Sequence, residues 1–450
     1  MSHDGLTSFL FSTPDMAAVF SPQAQLRTMT RFEWALSSAL EANGLAEAGS
    51  AEALEKLLDA DFVDVASLLS AARDAGNTAI PFVRQLTAAV SAQSEIAAWS
   101  VHLGATSQDL IDTTLVLQMK EALHLLEKAL TRLDTALVEG VRRNRDTMML
   151  GRTWLQVGPP VTLGLKLAGV LSALRRDQQR IRQEEARVLV LQFGGAVGTQ
   201  ASLGSSGGLV SAKLAQLLDL SEPELPWHTQ RDSLAAIVQL LALVTGTLAK
   251  FGRDIALLMQ SEVEEVSEGG AEGHGASSTM PHKHNPVGCA ALIAIHAKMP
   301  GLSATMLQGM QQEHERGLGL WQAEWGAIPE AFRLASASVS YATEVIHGLK
   351  VDSVRMRANL DATHGLPLAE AVSSALASKI GRIQAHTVLR KAVDRTRTEK
   401  RPLSDVLKEM PEVKTHLSGV EIDGLLDARN YLGSTQRLIS RVLGDDDADG

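Results

Sequence analysis

The segment between Glu268 and Met299 carries the residues whose types and spacing are best suited to chemistry. Its sequence, EGGAEGHGASSTMPHKHNPVGCAALIAIHAKM, places serines, histidines, a lysine and an asparagine after a glycine-rich stretch. A glycine-rich loop between rigid helices often closes over a substrate. Asn285 and Pro286 predict a helix start, because Asn caps helices and Pro suits the first turn. The exposed N–H groups at that start, together with Lys283, predict a site for a carboxylate or phosphate.

Each of these residues also has an ordinary structural explanation. Asn285 could serve only as a helix cap, and Ser277 and Ser278 could be turn residues. His282 and His284 are of a residue type that is more often found at a surface than acting as an acid or base. The residue types alone leave these alternatives open.

The elements that must hold this loop are helices. Apolar residues recur in steps of three and four between Ser107 and Asn144, which predicts one helix with a single apolar stripe. The stripe contains Ile111, Leu115, Met119, Leu123, Leu126, Leu130, Leu133, Leu137 and Val141. Thr106 and Asp109 resemble a capping box at its start.

A second long helical run extends from Leu234 to Val266 without a proline. Its most apolar stretch, residues 234–249, is shorter than the ~20 residues that a membrane-spanning helix needs, so we expect a buried core helix. Long helices that are apolar on several faces need neighbours on several sides, which a bundle shared between subunits supplies. We predict an all-α protein with a central long-helix bundle.

Breaks in these patterns divide the chain into three predicted domains. The N-terminal helical domain covers residues 1–105, the long-helix domain residues 106–348 and the C-terminal helical domain residues 349–450. Short helical patterns interrupted by glycine and proline mark the two outer domains.

Composition excludes several classes of protein. The 450-residue chain has a formal charge of −10, which argues against a nucleic-acid partner. A lone cysteine, Cys289, permits no internal disulfide and holds no metal site by itself. No export signal or membrane segment is recognisable at the N-terminus. We therefore expect a cytoplasmic protein with no membrane partner and no bound metal.

Four segments together resemble the fumarase/aspartase superfamily. GASSTMPHKHNP is similar to the superfamily signature GSSxMPxKxNP, with Ala276 in the slot of a small residue. HLGATSQDLIDT, which begins at His102, resembles the segment that opens the first long helix. GRTWLQVGPPVTLG and QQEHERGLGLWQAEW resemble two further segments, and all four stand in the expected order.

The resemblance implies a fold and a set of site residues. The implied assembly is a homotetramer whose central domains form a twenty-helix core, with active sites shared between subunits and no cofactor. Ser277 is implied as the acid/base for a carbon-bound proton, with Lys283 as its catalytic partner. The implied substrate-binding residues are His102, Thr106, Ser107, Arg152, Trp154, Gln156, Ser278, Met280, Asn285 and Arg316.

Within the superfamily, phrases such as LGATSQD, GRTWLQ and PWHTQRD resemble the branch of 3-carboxymuconate cycloisomerases. That branch implies a small polyanionic di- or tricarboxylate substrate and intramolecular addition of a carboxylate to a conjugated double bond, in the breakdown of aromatic compounds. Trp154 stands where the nitrogen lyases have a proton-donating histidine, and Asn77 stands where they have another. A carboxylate leaving group, with a pKa of ~4, needs no such donor.

Three alternatives remain at this stage. The first is a C–N lyase similar to adenylosuccinate lyase, which predicts a histidine at position 154. The second is a muconate cycloisomerase whose substrate carries a different anionic substituent. The third is a helical scaffold that has lost catalysis, against which Ser277, Lys283 and Asn285 argue.

Overall fold

The computed structural model describes residues 7–270, 273–277, 279–280 and 282–445. The protein is 68% helical, and the described residues contain nineteen α-helices and four short strands. The predicted all-α class is therefore confirmed.

The helices and strands follow one another without a large sheet. The helices are α1 Pro14–Val19, α2 Pro22–Ala42, α3 Ser50–Glu55, α4 Val65–Ala75, α5 Ala79–Ser91, α6 Glu95–Ala98, α7 Ser107–Arg143, α8 Leu163–Val188, α9 Gly207–Leu218, α10 Asp232–Leu258, α11 Val287–Gly309, α12 Leu320–Gly348, α13 Ser353–Asp361, α14 Ala369–Ile380, α15 Arg382–Glu399, α16 Leu403–Glu409, α17 Pro411–Lys414, α18 Gly419–Leu425 and α19 Thr435–Leu443. The strands are β1 Met148–Thr153, β2 Gln156–Thr162, β3 Val266–Ser267 and β4 Lys350–Val351.

Helix α7 follows the predicted apolar stripe closely. Every stripe residue from Ile111 to Val141 is buried. At its start the backbone N–H of Thr106 donates to Oδ2 of Asp109 at 2.9 Å, which is one half of the expected capping box. The Thr106 hydroxyl accepts instead from Nη1 of Arg316 at 2.7 Å. Long-range contacts therefore fix this helix start together with the local pattern.

The chain divides into two compact units, each assembled from three separate stretches. The first unit contains Met1–Thr131, Arg176–Gly246 and Ala294–Ser340, and the second contains Arg132–Arg175, Thr247–Ile293 and Tyr341–Gly450. Each of the five longest helices has residues in both units. The three consecutive domains expected from the sequence remain a prediction.

A buried ionic network lies in the core of the first unit. The fully buried Arg231 donates to both oxygens of Asp112, at 2.7 and 3.1 Å, and to both oxygens of Glu324. Nε1 of Trp321 and the Gln108 amide also donate to Asp112. Burial raises the pKa of Glu324, and the negative charge of Asp112 adds to this effect, although Arg231 opposes both. The network links α7, α10 and α12 within this unit.

The second unit contains a C-terminal helical cluster and a β-hairpin. Buried apolar residues of α14 to α18 form one cluster, which includes Val372, Leu376 and Leu403. Strands β1 and β2 pair antiparallel, and Leu150 of β1 packs with Leu360 and other apolar residues. The helical reading of the sequence did not include this hairpin, because its strands are short and few.

Two helices among the described residues, α10 and α11, are long and apolar enough to cross a membrane by length and composition alone. One or two such helices are weak evidence, because core helices pass the same test. In α10, 56% of the apolar window is buried inside the protein, and Leu241, Val244 and Leu248 are completely covered. Helix α10 therefore has the burial expected of a core helix.

Replacement of Arg231 tests the buried network. Arg231→Met leaves Asp112 and Glu324 buried without their cation, so we expect the free energy of unfolding to fall by about 3–5 kcal/mol. Urea unfolding followed by circular dichroism measures this loss. The matched control is Arg182→Met, because Arg182 pairs with Glu127 at an exposed position, where the loss stays below about 1 kcal/mol. Equal losses in the two variants would contradict the assigned role of Arg231.

Candidate active site

The first unit brings Thr106 and Arg316 together. Arg316 lies in the loop between α11 and α12 and donates to the Thr106 hydroxyl at 2.7 Å. Burial lowers the pKa of the Arg316 guanidinium, while Asp109 and Asp112 raise it. Among the described residues Arg316 forms no ion pair. A partly desolvated cation of this kind beside a helix start is a suitable receptor for an anion. Ser107, the first residue of α7, lies directly beside it in the chain.

Asp109 organises the surroundings of this receptor. Its fully buried carboxylate accepts hydrogen bonds from five groups. The donors are the backbone N–H of Thr106, Gly194 and Gly195, the amide of Gln192, and Nε2 of His228 at 2.7 Å. One carboxylate therefore fixes the start of α7, the loop after α8 and the segment before α10. The capping pattern predicted one of these contacts, and the other four come from distant parts of the chain.

His102 is held by a carboxylate that the sequence did not single out. Nδ1 of His102 lies 2.6 Å from Oε1 of Glu33, and the backbone N–H of His102 donates to Oε2 at 2.8 Å. His102 has a left-handed φ of 59°, which is uncommon for a residue with a side chain. Glu33 lies in the middle of α2, 69 positions away in the chain, so no local spacing links the two residues.

The signature loop lies in the second unit and is closed by Asn285. Both the backbone N–H and the side-chain amide of Asn285 donate to the carbonyl of Gly275, at 2.8 and 3.0 Å. Gly275 has a φ of +68°, and a side chain there would approach the Asn285 carbonyl to 2.5 Å. Asn285 therefore links the two ends of the loop by hydrogen bonds, in addition to the helix-capping role that was one alternative from the sequence.

Ser277 stands at a turn inside this loop. Its Oγ accepts from the backbone N–H of Thr279 at 3.3 Å and from that of Met280 at 3.1 Å. Lys283 and Met280 are exposed, and among the described residues Lys283 forms no ion pair. Ser278 lies outside the described residues. The serine hydroxyl keeps its own hydrogen available as a donor, because both of these contacts use its oxygen as an acceptor.

The start of α11 is not an open anion site. The buried carboxylate of Glu268 accepts from the N–H groups of Gly288 at 3.0 Å and Cys289 at 2.7 Å. Nε2 of His274 lies 3.2 Å from the same carboxylate. This differs from the expectation that these N–H groups would attract a ligand, since an internal anion already occupies them. Burial and Glu268 also raise the pKa of the Cys289 thiol, which keeps it protonated at neutral pH.

Arg152 is paired inside the second unit. Its guanidinium donates to the two oxygens of Glu265, at 2.7 and 2.9 Å, and Asn359 donates to the same carboxylate. Glu265 is completely buried. The charge of Arg152 is therefore matched within the protein, and the pair anchors β1 of the hairpin.

The hairpin presents Trp154 at its tip. Trp154 is 97% exposed, and Leu155 and Gln156 beside it are also exposed. Trp154 and Leu155 form the two-residue turn with left-handed φ angles of 54° and 61°. Asn and Gly usually occupy such turns, so two bulky residues here indicate local strain. An indole in this position has a flat apolar face available for contact with another molecule.

Comparisons with known proteins identify the family of this chain. A family model described as lyase matches residues 11–301, and one described as adenylosuccinate lyase C-terminus matches residues 365–442. The chain belongs to the fumarase/aspartase lyase superfamily. The resemblance inferred from the four sequence segments is therefore confirmed.

Individual members of the lyase superfamily are similar over nearly the whole chain. The 3-carboxy-cis,cis-muconate cycloisomerase of Pseudomonas aeruginosa is 48% identical over 98% of this chain and 96% of its own length. The crystal structure of 3-carboxy-cis,cis-muconate lactonizing enzyme from Pseudomonas putida has a TM-score of 0.93 at 46% identity, covering 98% of both chains. That of beta-carboxy-cis,cis-muconate cycloisomerase from Acinetobacter calcoaceticus has a TM-score of 0.92 at 38% identity, covering 98% of this chain and 100% of the other.

The sequence motifs singled out the candidate residues but missed the buried carboxylates that hold several of them. Glu33, Glu265 and Glu268 each satisfy a candidate residue or a helix start. Glu268 opens the segment that was singled out, and Glu265 lies three residues before it. Their proximity to the signature was a usable signal, whereas nothing near Glu33 indicated His102.

A double-mutant cycle tests whether Arg152 acts through Glu265. Arg152→Met and Glu265→Gln each leave one member without its partner, so the double variant is expected to lose less stability than the sum by about 1–3 kcal/mol. Urea unfolding of the four proteins measures this coupling. The exposed pair Arg357–Asp361 provides the control cycle, with coupling below about 0.5 kcal/mol. Simple additivity at Arg152 and Glu265 would contradict the pairing role.

Proposed function

We propose that this protein catalyses the 3-carboxy-cis,cis-muconate cycloisomerase reaction, in the breakdown of aromatic compounds. The observation that carries the proposal is the tip of the hairpin, where a tryptophan stands in place of a proton donor. A leaving or attacking carboxylate needs no general acid, since its pKa is ~4. The name and near-complete coverage of the relatives support the same reaction.

The proposed reaction is an intramolecular addition. A carboxylate oxygen of the muconate forms a bond to the distal carbon of a conjugated double bond. The π electrons move towards a second carboxylate, which becomes a doubly charged aci-carboxylate. The Ser277 hydroxyl then gives its proton to the carbon beside that carboxylate, which yields the lactone, and water reprotonates the Ser277 alkoxide. The reaction is redox-neutral and unimolecular, so we propose that it needs neither a cofactor nor a metal.

Ser277 is the proposed proton carrier. A serine hydroxyl is a poor acid or base at its ordinary pKa and needs stabilisation of its anionic form. The N–H groups of Thr279 and Met280 point at its Oγ, which favours the alkoxide. Lys283, on the same loop, is the proposed source of positive charge.

The remaining proposed residues bind the anionic groups of a di- or tricarboxylate. Arg316, Thr106 and Ser107 form a preorganised receptor for one carboxylate. Asn285 and Lys283 are proposed to hold the carboxylate that absorbs charge.

Since Arg152 is neutralised by Glu265, its proposed contribution is the position of the hairpin. The proposed substrate contacts also include His102, Trp154, Gln156, Ser278 and Met280.

We further propose a cytoplasmic homotetramer whose active sites combine residues from several copies of the chain. Support comes from α11, of whose apolar window only 39% is buried within one chain. Six of its exposed residues recur at helical spacing and are small or apolar: Val287, Ala290, Ala294, Ala297, Gly301 and Ala304. Lys298, Pro300, Leu307 and Gln308 are also exposed. Small residues allow close approach of another helix, and a second copy of this chain is the proposed occupant. The three-domain division belongs to the same proposal.

Three alternatives are tested by one pair of assays. An adenylosuccinate lyase-like C–N lyase has some support, because the model of that enzyme's C-terminus matches residues 365–442. A muconate with another anionic substituent and an inactive scaffold are the others. Loss of the diene absorbance of 3-carboxymuconate supports the proposal, and loss only with a muconate that carries a different anionic substituent supports the second alternative. Release of fumarate from adenylosuccinate supports the C–N lyase, and inactivity towards every muconate and adenylosuccinate supports the scaffold.

Removal of the Ser277 hydroxyl tests its role in proton transfer. Ser277→Ala is expected to lower kcat by ~10²–10⁴-fold, because the carbon-bound proton loses its carrier. Diene absorbance gives the rate, and light scattering verifies that assembly is unchanged. Ser404→Ala in α16 is the matched control, because among the described residues this hydroxyl bonds only to the neighbouring Asp405. Wild-type turnover by Ser277→Ala would remove this residue from the mechanism.

Substitution of Trp154 tests the leaving-group argument. Trp154→His is expected to bring no gain in lactone formation and a loss of up to about tenfold, because the flat ring is reduced and no acid is needed. Trp154→Phe keeps an aromatic face and is expected to retain more activity. The same absorbance assay compares the three proteins. A faster Trp154→His enzyme would show that the reacting oxygen does require a proton donor.

A further inference from the structure

Glu33 is a buried carboxylate for which the reaction scheme gives no role. It lies in α2 beside buried apolar residues such as Phe32 and Leu36, and it is 0% exposed. Burying a carboxylate is costly unless hydrogen bonds or a cation compensate it. Both oxygens of Glu33 are directed at one residue: Oε1 at Nδ1 of His102 and Oε2 at its backbone N–H. The pair therefore fixes the ring and the backbone of His102 together.

The backbone around His102 holds it rigidly in place. His102 and Gly104 have φ angles of 59° and 83°, and the N–H of Ala105 donates back to the His102 carbonyl. A side chain on Gly104 would come within 2.7 Å of Leu203. This tight turn places His102 just before the start of α7. There the Thr106 hydroxyl accepts a hydrogen bond from Arg316.

The charges acting on His102 favour its protonated form. Burial by itself lowers the pKa of His102, but the carboxylates of Glu33 on α2 and Asp109 on α7 outweigh it and leave the pKa raised. Arg316, from the loop before α12, interacts with the same Asp109. His102 and Arg316 therefore interact electrostatically with the same carboxylate of the first unit.

Only Nε2 of His102 remains available to a ligand. Nδ1 is committed to Glu33, and within the described part of the chain Nε2 has no hydrogen-bond partner. The side chain is 18% exposed, so Nε2 can be reached from solution. In the imidazolium Nε2 carries a hydrogen and donates, whereas in the neutral ring with Nδ1 protonated it is an acceptor.

We propose that Glu33 is a positioning residue which keeps His102 an imidazolium, so that Nε2–H donates to one carboxylate of the substrate beside Arg316. The proposal rests on the polyanionic substrate of the proposed function and assigns the receptor for one of its carboxylates. The proposal predicts the direction in which the affinity for a tricarboxylate changes with pH. Affinity for a tricarboxylate is maintained while His102 is charged and falls as the pH rises through the pKa of His102, because Nε2 then presents a lone pair to the anion.

The protonation state of His102 can be measured without activity or ligand. Diethyl pyrocarbonate acylates only neutral imidazole, and peptide mass spectrometry separates His102 from the other twelve histidines. We expect the pH midpoint of His102 labelling to fall by about one unit or more in Glu33→Gln, because the charge is lost while the shape remains. The matched control is Glu41→Gln on the same helix, where the carboxylate accepts hydrogen bonds from the backbone N–H groups of Gly49 and Ala51. Equal midpoints in wild type and Glu33→Gln would overturn the proposal.

Ligand binding is tested with tricarballylate, a saturated tricarboxylate, by isothermal titration calorimetry across the same pH range. Glu33→Gln and His102→Gln are each expected to weaken binding by about tenfold near pH 7, and the double variant no further. His102→Gln keeps Glu33 in place, so the test stands if Glu33→Gln folds poorly. Wild-type affinity and pH dependence in both single variants would refute the proposed role at the ligand.

The outcomes separate this proposal from the proposed function. If labelling and tricarballylate binding behave as expected but 3-carboxymuconate is not consumed, the assigned reaction fails while the Glu33–His102 pair stands. If 3-carboxymuconate is consumed normally by Glu33→Gln with an unchanged KM and pH profile, the pair fails while the reaction stands.

Discussion

A carboxylate that is removed from water needs hydrogen-bond donors or a cation, and this requirement positions candidate residues within each unit. Asp109 is the clearest case, because five donors from distant parts of the chain converge on its two oxygens. Loss of any of these hydrogen bonds would lower the stability of the fold, because a buried polar group would lose its partner. These hydrogen bonds fix the position of the start of α7, where the Thr106 hydroxyl accepts a hydrogen bond from Arg316.

The same principle divides the charged residues into two kinds. Arg231 and Arg152 are matched by buried carboxylates and act as structural cations. Arg316 in the first unit and Lys283 in the second form no ion pair among the described residues, and the proposed function assigns both cations to anionic groups of a substrate. A protein with a formal charge of −10 repels a polyanion at long range. Local unmatched cations are therefore the physical basis on which such a ligand would bind.

In the signature loop, hydrogen bonds to backbone N–H and carbonyl groups hold the structure together. Its closure depends on Gly275, whose left-handed conformation lets Asn285 donate twice to one carbonyl. Glu268 occupies the N–H groups at the start of α11, so the helix start stabilises the loop's own chain rather than a ligand. The loop thereby presents Ser277 with backbone donors already aimed at its oxygen, which is the feature that a weak acid or base requires.

The sequence by itself determined the helical class, the stripe of α7 from Ile111 to Val141 and the superfamily, because these depend on local periodicity and contiguous motifs. It also located Ser277, Arg316 and Trp154, which lie inside such motifs. Only the tertiary structure decided that Arg152 is paired, that the start of α11 is filled, and that Glu33 holds His102. Those facts depend on which buried charges meet across long separations in the chain, such as the 69 positions between Glu33 and His102. Folding selects such contacts by the cost of desolvation, and no spacing rule records them.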